Sequence, residues 1–237
     1  MSLITRIKQK ISYILFVRIR CLPFFYKIHK NHNVEQTYQI VGLMRERNES
    51  LILKDSLDHL GKTVDAIIVF DDCSTDDSIE IARAHPKVIE VIENKKWKNS
   101  NRAWEETANR HMLLAAAKEY NPEWLFYCDA DERFEGNIRN YLLHECPTDV
   151  NGIKISLFDA YITKNDMKPI RRGDKLFDFR QYFGREKRDI LMIWRNMTGV
   201  DFLVSDARPP QNVQPEIITK FYCQHYGKSL SVEHCDE

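Results

Sequence analysis

The feature that most constrains the fold is an alternation. Four short apolar runs, "YQIVGLM" from Tyr38, "AIIVF" from Ala66, "VIEVI" from Val88 and "WLFYC" from Trp124, are separated by stretches of helical character. Each run has the length of a buried strand. Each is apolar along its length rather than at every second position, the pattern of a sheet covered on both faces. Between the first two runs, Leu53, Leu57 and Leu60 share a helical face, and Gly61 supplies a stop signal. "STDDSIEIARAHP" opens on capping residues and ends at Pro86, and the Ala- and Leu-rich stretch from Asn101 to Glu119 reads as a long helix. Strands alternating with helices predict an α/β fold: a mostly parallel, Rossmann-like sheet wound by right-handed crossovers, with helices on both faces.

With 237 residues, 43% of them hydrophobic, the chain is long enough for one domain with a substantial core. Lys+Arg and Asp+Glu balance at 35 each, so no global field favours nucleic acid. The six cysteines form no C-x-x-C pair, which argues against a zinc cluster and suits a reducing, cytoplasmic compartment. The first 34 residues hold seven Lys/Arg and no Asp/Glu. There Leu3, Ile4, Ile7, Ile11, Ile14 and Leu15 fall at helical spacing, with Arg6, Lys8 and Lys10 on other faces. This is a basic amphipathic helix ending near Pro23, too short to span a bilayer. It suits either attachment to an anionic membrane surface or packing on the domain. The chain therefore divides into a basic segment, 1–35, and a domain, 36–237. Beyond Phe134, "GNIRNYLLHE" reads as a helix and "GIKISLF" as a strand, while "ILMIW", "FLVSD" and "ITKFYCQHYG" read as later strands or strand ends. Thr163 to Asp189, with nine Lys/Arg against five Asp/Glu, reads as loop-rich.

In such sheets ligands bind beyond the carboxyl ends of the strands. Polar groups gather there: Asn48 and Glu49 after the first run, Asp71 and Asp72 after the second, Asp129 and Asp131 after the fourth. In D-x-D at a strand end the two carboxylates face the same side, and they repel unless a cation stands by them. A hard divalent ion, Mn²⁺ or Mg²⁺, is the natural partner, with positions left open for phosphate oxygens.

In order and spacing, "IVGLMRERNES", "AIIVFDDCSTDDS" and "WLFYCDADERF" resemble the family 2-like nucleotide-sugar glycosyltransferases of the GT-A fold. In that family the first strand typically ends in N-E, the second in D-D-G-S-T-D and the fourth in the metal-binding D-x-D. The resemblance covers about 38–136; further on, "QHYGK" looks like the late H-Y-G element of several bacterial members. It implies a donor half, 38–136, and an acceptor half, 137–237. It implies Asn48 and Glu49 near the nucleoside, and Asp72, with Asp71, accepting from the base N–H. Asp129 would contact the ribose or the metal through water, and Asp131 the metal directly. His225 would join the metal or the diphosphate, and Arg110 would pair with the diphosphate. The activity implied is metal-dependent transfer of a sugar from a nucleotide diphosphate sugar to an acceptor hydroxyl. The acceptor would be a glycan or glycolipid, in glycolipid or surface polysaccharide synthesis on the inner face of a membrane.

The chain departs from the family's pattern in two places. Cys73 stands where the family has glycine, a residue that permits a left-handed backbone. The E-D pair that supplies the general base in many inverting members is absent after Asp159, which leaves Asp206 and Asp201 as candidates. A scaffold that binds a nucleotide sugar without turnover is a second reading. An aspartate-nucleophile phosphohydrolase is a third, weakened because Arg133 stands where those enzymes want Thr or Val. A sugar nucleotidyltransferase would need a Gly-rich loop that "GLMRERNES" does not supply.

Overall fold

The computed structural model describes residues 11–16, 19, 20, 22–31, 37–98 and 101–230. The first elements are α1 (11–16), β1 (Tyr26–Lys30), β2 (Ile40–Glu46), α2 (Leu53–Leu60), β3 (Ala66–Asp71), α3 (Ser78–Ala84), β4 (Val88–Asn94) and α4 (Arg102–Glu119). They are followed by β5 (Trp124–Asp129), β6 (Glu132–Glu135), α5 (Ile138–Asn140), β7 (Gly152–Ala160), β8 (Phe183–Arg195) and β9 (Ile217–His225). Among the described residues the strands form one sheet in the order β1-β4-β3-β2-β5-β8-β7-β9-β6. The four apolar runs make its parallel centre, β4-β3-β2-β5. Outside it the pairing is mixed: β1 runs antiparallel to β4, β8 antiparallel to β5 and β7, β6 antiparallel to β9, and β7 parallel to β9.

Helices cover both faces, which is why the central strands carry no alternation. All six residues of β3 are buried. On one face Leu53, Leu57 and Leu60 of α2 and Ala82 of α3 pack with Ile67, Val69 and Phe126. On the other, Leu113, Leu114 and Ala117 of α4 pack with Ile68, Phe70 and Leu125. Each fully buried leucine contributes about 1.5–3 kcal/mol.

Several expectations need amending. Helix α2 does end before Gly61, but Gly61 stays in the right-handed region at φ −59°. A Cβ there would meet Leu57 O at 2.9 Å and Lys87 Cδ at 3.2 Å, so close approach is what the position requires. "GNIRNYLLHE" forms only the short α5 followed by a π-helical turn, Tyr141–Glu145. "FLVSD" is not a strand. Phe202 is buried against Tyr127 and Trp194, while Leu203 and Val204 are 48% and 53% exposed, so the run serves as a loop anchor. The charged stretch is not all loop, because β8 begins at Phe183 and its exposed outer half pairs with β7. Of the expected amino-terminal helix, 11–16 is helical and 1–10 lies outside the described residues. Among the described residues no helix is long and apolar enough to cross a membrane.

Candidate active site

The carboxyl ends of the parallel strands come into register. Arg45 of β2 lies opposite Asp129 of β5, and Glu46 lies opposite Asp71 of β3. The turn from β5 to β6 carries Asp129, Ala130 and Asp131, and the protein holds it from three sides. Ser56 of α2 donates to Ala130 O. Arg133 Nη1 donates to the same oxygen at 2.9 Å. Tyr226 N, just past β9, donates to Asp131 O at 2.9 Å. Arg133 is itself fully buried, with Nε on Asp55 Oδ2 at 2.9 Å.

The two D-x-D carboxylates have different surroundings. Asp129 accepts from Tyr127 Oη at 3.3 Å and lies 3.4 Å from Arg208 Nη1. Burial pushes its carboxyl up, but Arg208, Arg45, Arg110 and His225 outweigh that and hold it below the usual carboxylate range. Asp131 Oδ2 lies 3.2 Å from His225 Nε2, and His225 Nδ1 lies 2.6 Å from Asp159 Oδ1 at the end of β7. Burial draws the imidazole down, yet the carboxylates of Asp131, Glu132 and Asp159 prevail and raise it to about 9. Gly227 makes room for this pair, since a Cβ there would come 2.5 Å from Asp131 Oδ2. Glu49 is pushed up to about 8, first by burial and then by Asp131, Asp129 and Asp76. Both D-x-D carboxylates therefore act on Glu49 electrostatically, as their positions on one rim require.

The loops after β2 and β3 are stitched together. Asn48 N donates to Ser74 Oγ at 2.9 Å, Thr75 N to Asn48 Oδ1 at 2.8 Å, and Glu49 N to Ser78 Oγ at 2.9 Å. Asp76 Oδ1 caps α3 by accepting from Ser78 N. Asp71 is fully buried and accepts from Ser74 N at 3.0 Å, so it shapes the loop. Cys73 has φ +66°, the left-handed backbone that glycine would adopt freely and that costs an ordinary residue about 1–2 kcal/mol. Asp72 is fully buried too. Its oxygens accept from Asn94 Nδ2 at 2.8 Å and Arg102 Nη2 at 2.5 Å. Arg102 links it to Trp97, whose ring has the guanidinium groups of Arg47 and Arg102 at 4.1 and 5.2 Å.

Other expected residues stand further back. Arg110 is buried behind Tyr127, with Nε 3.2 Å from the phenol and Nη2 3.4 Å from Glu106. It reaches Asp129 through that phenol and through its charge. Asp201 is engaged 2.6 Å from His111 Nδ1 of α4. Asp206 is exposed on the loop between β8 and β9, its backbone N 3.3 Å from Thr107 Oγ1. Sequence reasoning missed Arg208 on that loop, which also pairs with the buried Glu132, and it missed Arg45 and Asp159. "MRERNES" carried a signal for Arg45, a charged residue ending an apolar strand. Nothing local marked Arg208.

Two observations test what the site could hold. Burial is the first cause of Glu49's raised carboxyl and the charges of Asp131, Asp129 and Asp76 add to it, so a divalent ion beside Asp129 and Asp131 would relieve part of that repulsion. Among the described residues no three His, Cys, Asp or Glu side chains are grouped to hold a metal by themselves, so ligand oxygens would have to complete the shell. Secondly, Arg45 Nε, Arg110 Nη1 and Arg208 Nε are buried without acceptors. Buried donors are seldom left unmet, and three guanidinium groups around one carboxylate suit an anionic ligand.

Residues 47–140 match the model of glycosyl transferase family 2. Two uncharacterised proteins, of Mycobacterium bovis and Mycobacterium tuberculosis, are each 33% identical over 102 residues, covering 42% of this chain and 25% of theirs. The chain thus spans about a quarter of the length of these relatives. Among solved structures, a Pyrobaculum calidifontis mannosyltransferase in complex with GDP-Man and Mn²⁺ is 16% identical at a TM-score of 0.38, over 61% of this chain and 42% of that one. Glucosyl-3-phosphoglycerate synthase of Mycobacterium tuberculosis, with Mn²⁺, UDP and glucosyl-3-phosphoglycerate, is 18% identical at 0.36, over 55% and 50%. The stretch that is similar to glycosyl transferase family 2, from Arg47 to Asn140, carries the strand-end residues Asn48, Glu49, Asp71, Asp72, Asp129 and Asp131.

Proposed function

We propose that this chain transfers a sugar from a nucleoside diphosphate sugar to an acceptor hydroxyl, with a divalent cation at Asp129 and Asp131. The observation that carries this reading is the gathering at one rim of the Asp129 and Asp131 carboxylates with three arginines that each bury a donor lacking an acceptor. Mn²⁺ or Mg²⁺ at the carboxylates would offset charge developing on the departing diphosphate. Arg208, Arg45 and, from behind Tyr127, Arg110 add positive potential at Asp129. Asp159 orients the His225 ring, the usual task of a carboxylate behind a ligating histidine. A protonated His225 cannot ligate, so loading the site through it would release a proton.

On this reading 38–136 is the donor half, 137–237 the acceptor half, and Asp206, exposed beside Arg208, the first candidate for the base. A glycolipid or surface polysaccharide acceptor suits the basic amino terminus. Ile11, Ile14, Leu15 and Ile19 are 42–56% exposed, which suits attachment to an anionic membrane.

The test is donor binding. UDP-, GDP-, CMP- and dTDP-sugars are titrated with and without Mn²⁺ against the native chain and Asp131→Ala, followed by thermal shift. Metal-dependent stabilisation by one nucleotide class, lost in Asp131→Ala, is the expected result. No stabilisation of a folded native chain by any of them rejects the reading.

A further inference from the structure

A strap precedes β2 and ends inside the nucleotide half of the site. Tyr13 and Phe16 set their rings edge-on to Trp104 of α4, at 5.4 and 5.3 Å. Past them, Arg20 turns inward and is 2% exposed. Its Nε lies 2.5 Å from Glu105 Oε2 and its Nη2 donates to Asn94 Oδ1 at 3.0 Å. The rings of Phe25 and Tyr26 stand 5.0 and 5.1 Å from the guanidinium carbon.

Arg20 decides which way Asn94 faces. A guanidinium only donates and a carboxylate only accepts, so an amide bridging the two has one satisfactory orientation. With Oδ1 turned to Arg20, Nδ2 is left to donate to Asp72 Oδ1 at 2.8 Å. The reversed amide would set an oxygen against the Asp72 carboxylate. Lys96 N also donates to Asn94 Oδ1, but at 3.3 Å and without charge. Asp72 in turn holds Arg102 at 2.5 Å, and Arg102 lies against Trp97. The series Arg20, Asn94, Asp72, Arg102, its first three members buried, therefore runs unbroken from the strap to the edge of the nucleotide side.

We propose that the amino-terminal strap is a working part of the donor site. Arg20 is a positioning residue that, by orienting Asn94, fixes Asp72 and Arg102 for the nucleoside, so that unseating the strap weakens nucleotide binding without touching the D-x-D turn. This rests on the donor reading above.

The experiment uses the full chain and Arg20→Ala, Asn94→Ala, the double variant and Arg20→Lys. UDP and GDP with Mn²⁺ are titrated calorimetrically. Amide hydrogen exchange of 71–78 is measured without ligand, so that the coupling is read whether or not a nucleotide binds. Arg20→Ala and Asn94→Ala should each raise the nucleotide Kd about tenfold, the order expected for losing a supporting hydrogen bond. The double variant should be no weaker than the worse single, because one residue acts through the other. Arg20→Lys should restore part of the affinity, and exchange at 71–78 should quicken in Arg20→Ala. Asn94→Ala leaves the Arg20–Glu105 pair in place, so it decides the matter even if Arg20→Ala folds poorly. Unchanged Kd and exchange, or losses that add in the double variant, overturn the proposal. A native chain that binds neither UDP nor GDP, with exchange still quickened in Arg20→Ala, overturns the donor reading and leaves the coupling standing.

Discussion

A Cβ placed on Gly227 would stand 2.5 Å from Asp131 Oδ2 and 3.1–3.2 Å from the His225 ring. Gly227→Ala therefore acts on the metal-side carboxylate without changing either candidate ligand. To recover ordinary contact at 3.4 Å, the carboxylate must retreat by about 0.9 Å. It sits at the end of a side chain that can rotate, so the cost to folding is about 1 kcal/mol or less. For a chain of this size that lowers Tm by about 2–4 °C at most. The cost to function is larger, because disturbing the setting of a metal ligand typically costs about 10–100-fold in metal affinity or activity. Calorimetry should show Mn²⁺-dependent nucleotide affinity falling by about that factor beside a nearly unchanged melting curve. A second readout needs no ligand. Asp131 is the first carboxylate holding His225 up to about 9, so the imidazole should titrate lower in Gly227→Ala by NMR. A variant whose His225 still titrates near 9 and whose Mn²⁺-nucleotide affinity is unaltered would refute the geometry argued here.

Stability of the ligand-free chain should fall as pH rises from about 6.5 to 9. His225 is raised from 6.5 to about 9, so its contribution is full below 6.5 and is lost as pH climbs through 9. Glu49, raised from 4.5 to about 8, acts in the same direction, since its neutral form is favoured in the native state. Melting curves across that range should flatten in Glu49→Gln, and Mn²⁺ should restore stability at the alkaline end. Arg133→Met should cost about 3–5 kcal/mol by chemical denaturation, because it removes the ion pair to Asp55 and one of the two donors to Ala130 O. Leu57→Ala, at a fully buried position of α2, should cost about 2–5 kcal/mol and leave nucleotide affinity per folded molecule unchanged.

Legibility followed the range of the forces. The parallel centre could be read because β2 to β5 are buried on both faces, and two-sided burial writes itself as continuous apolar runs. The strand-end acids could be read because each follows its run directly. Asp72 was found, but its closure was not, since Asn94 and Arg102 reach it from β4 and the start of α4. The left-handed turn at Cys73 follows from a family position where glycine is usual, and the backbone adopts it without one. Arg208 was illegible because its pairing depends on how the loop after β8 folds back over α4. "FLVSD" misled because Phe202 packs inward while its neighbours do not, and apolar content alone cannot separate a strand from an anchor. Tyr26–Lys30, which alternates charge with bulk in a basic segment, forms an edge strand whose pattern is set by one partner, β4.

The charges of the site are distributed so that the turn can be rigid while its ligand side is left incomplete. Ala130 O accepts from Ser56 and Arg133, and Asp131 O from Tyr226 N, so the backbone of the turn is fixed by α2, β6 and the end of β9. None of these bonds uses a carboxylate oxygen of Asp129 or Asp131. Among the described residues those oxygens meet Tyr127, Arg208 and His225, groups at the ends of rotatable side chains. Arg208 pairs with both Asp129 and the buried Glu132, and a buried carboxylate such as Glu132 is tolerable only while it stays paired. A divalent ion arriving at Asp129 would compete with Arg208 for that carboxylate, leaving the guanidinium free to meet the anionic part of the same ligand. Because Arg208 also holds the buried Glu132, it can shift toward that ligand only while keeping the Glu132 pair, which leaves no buried carboxylate uncompensated.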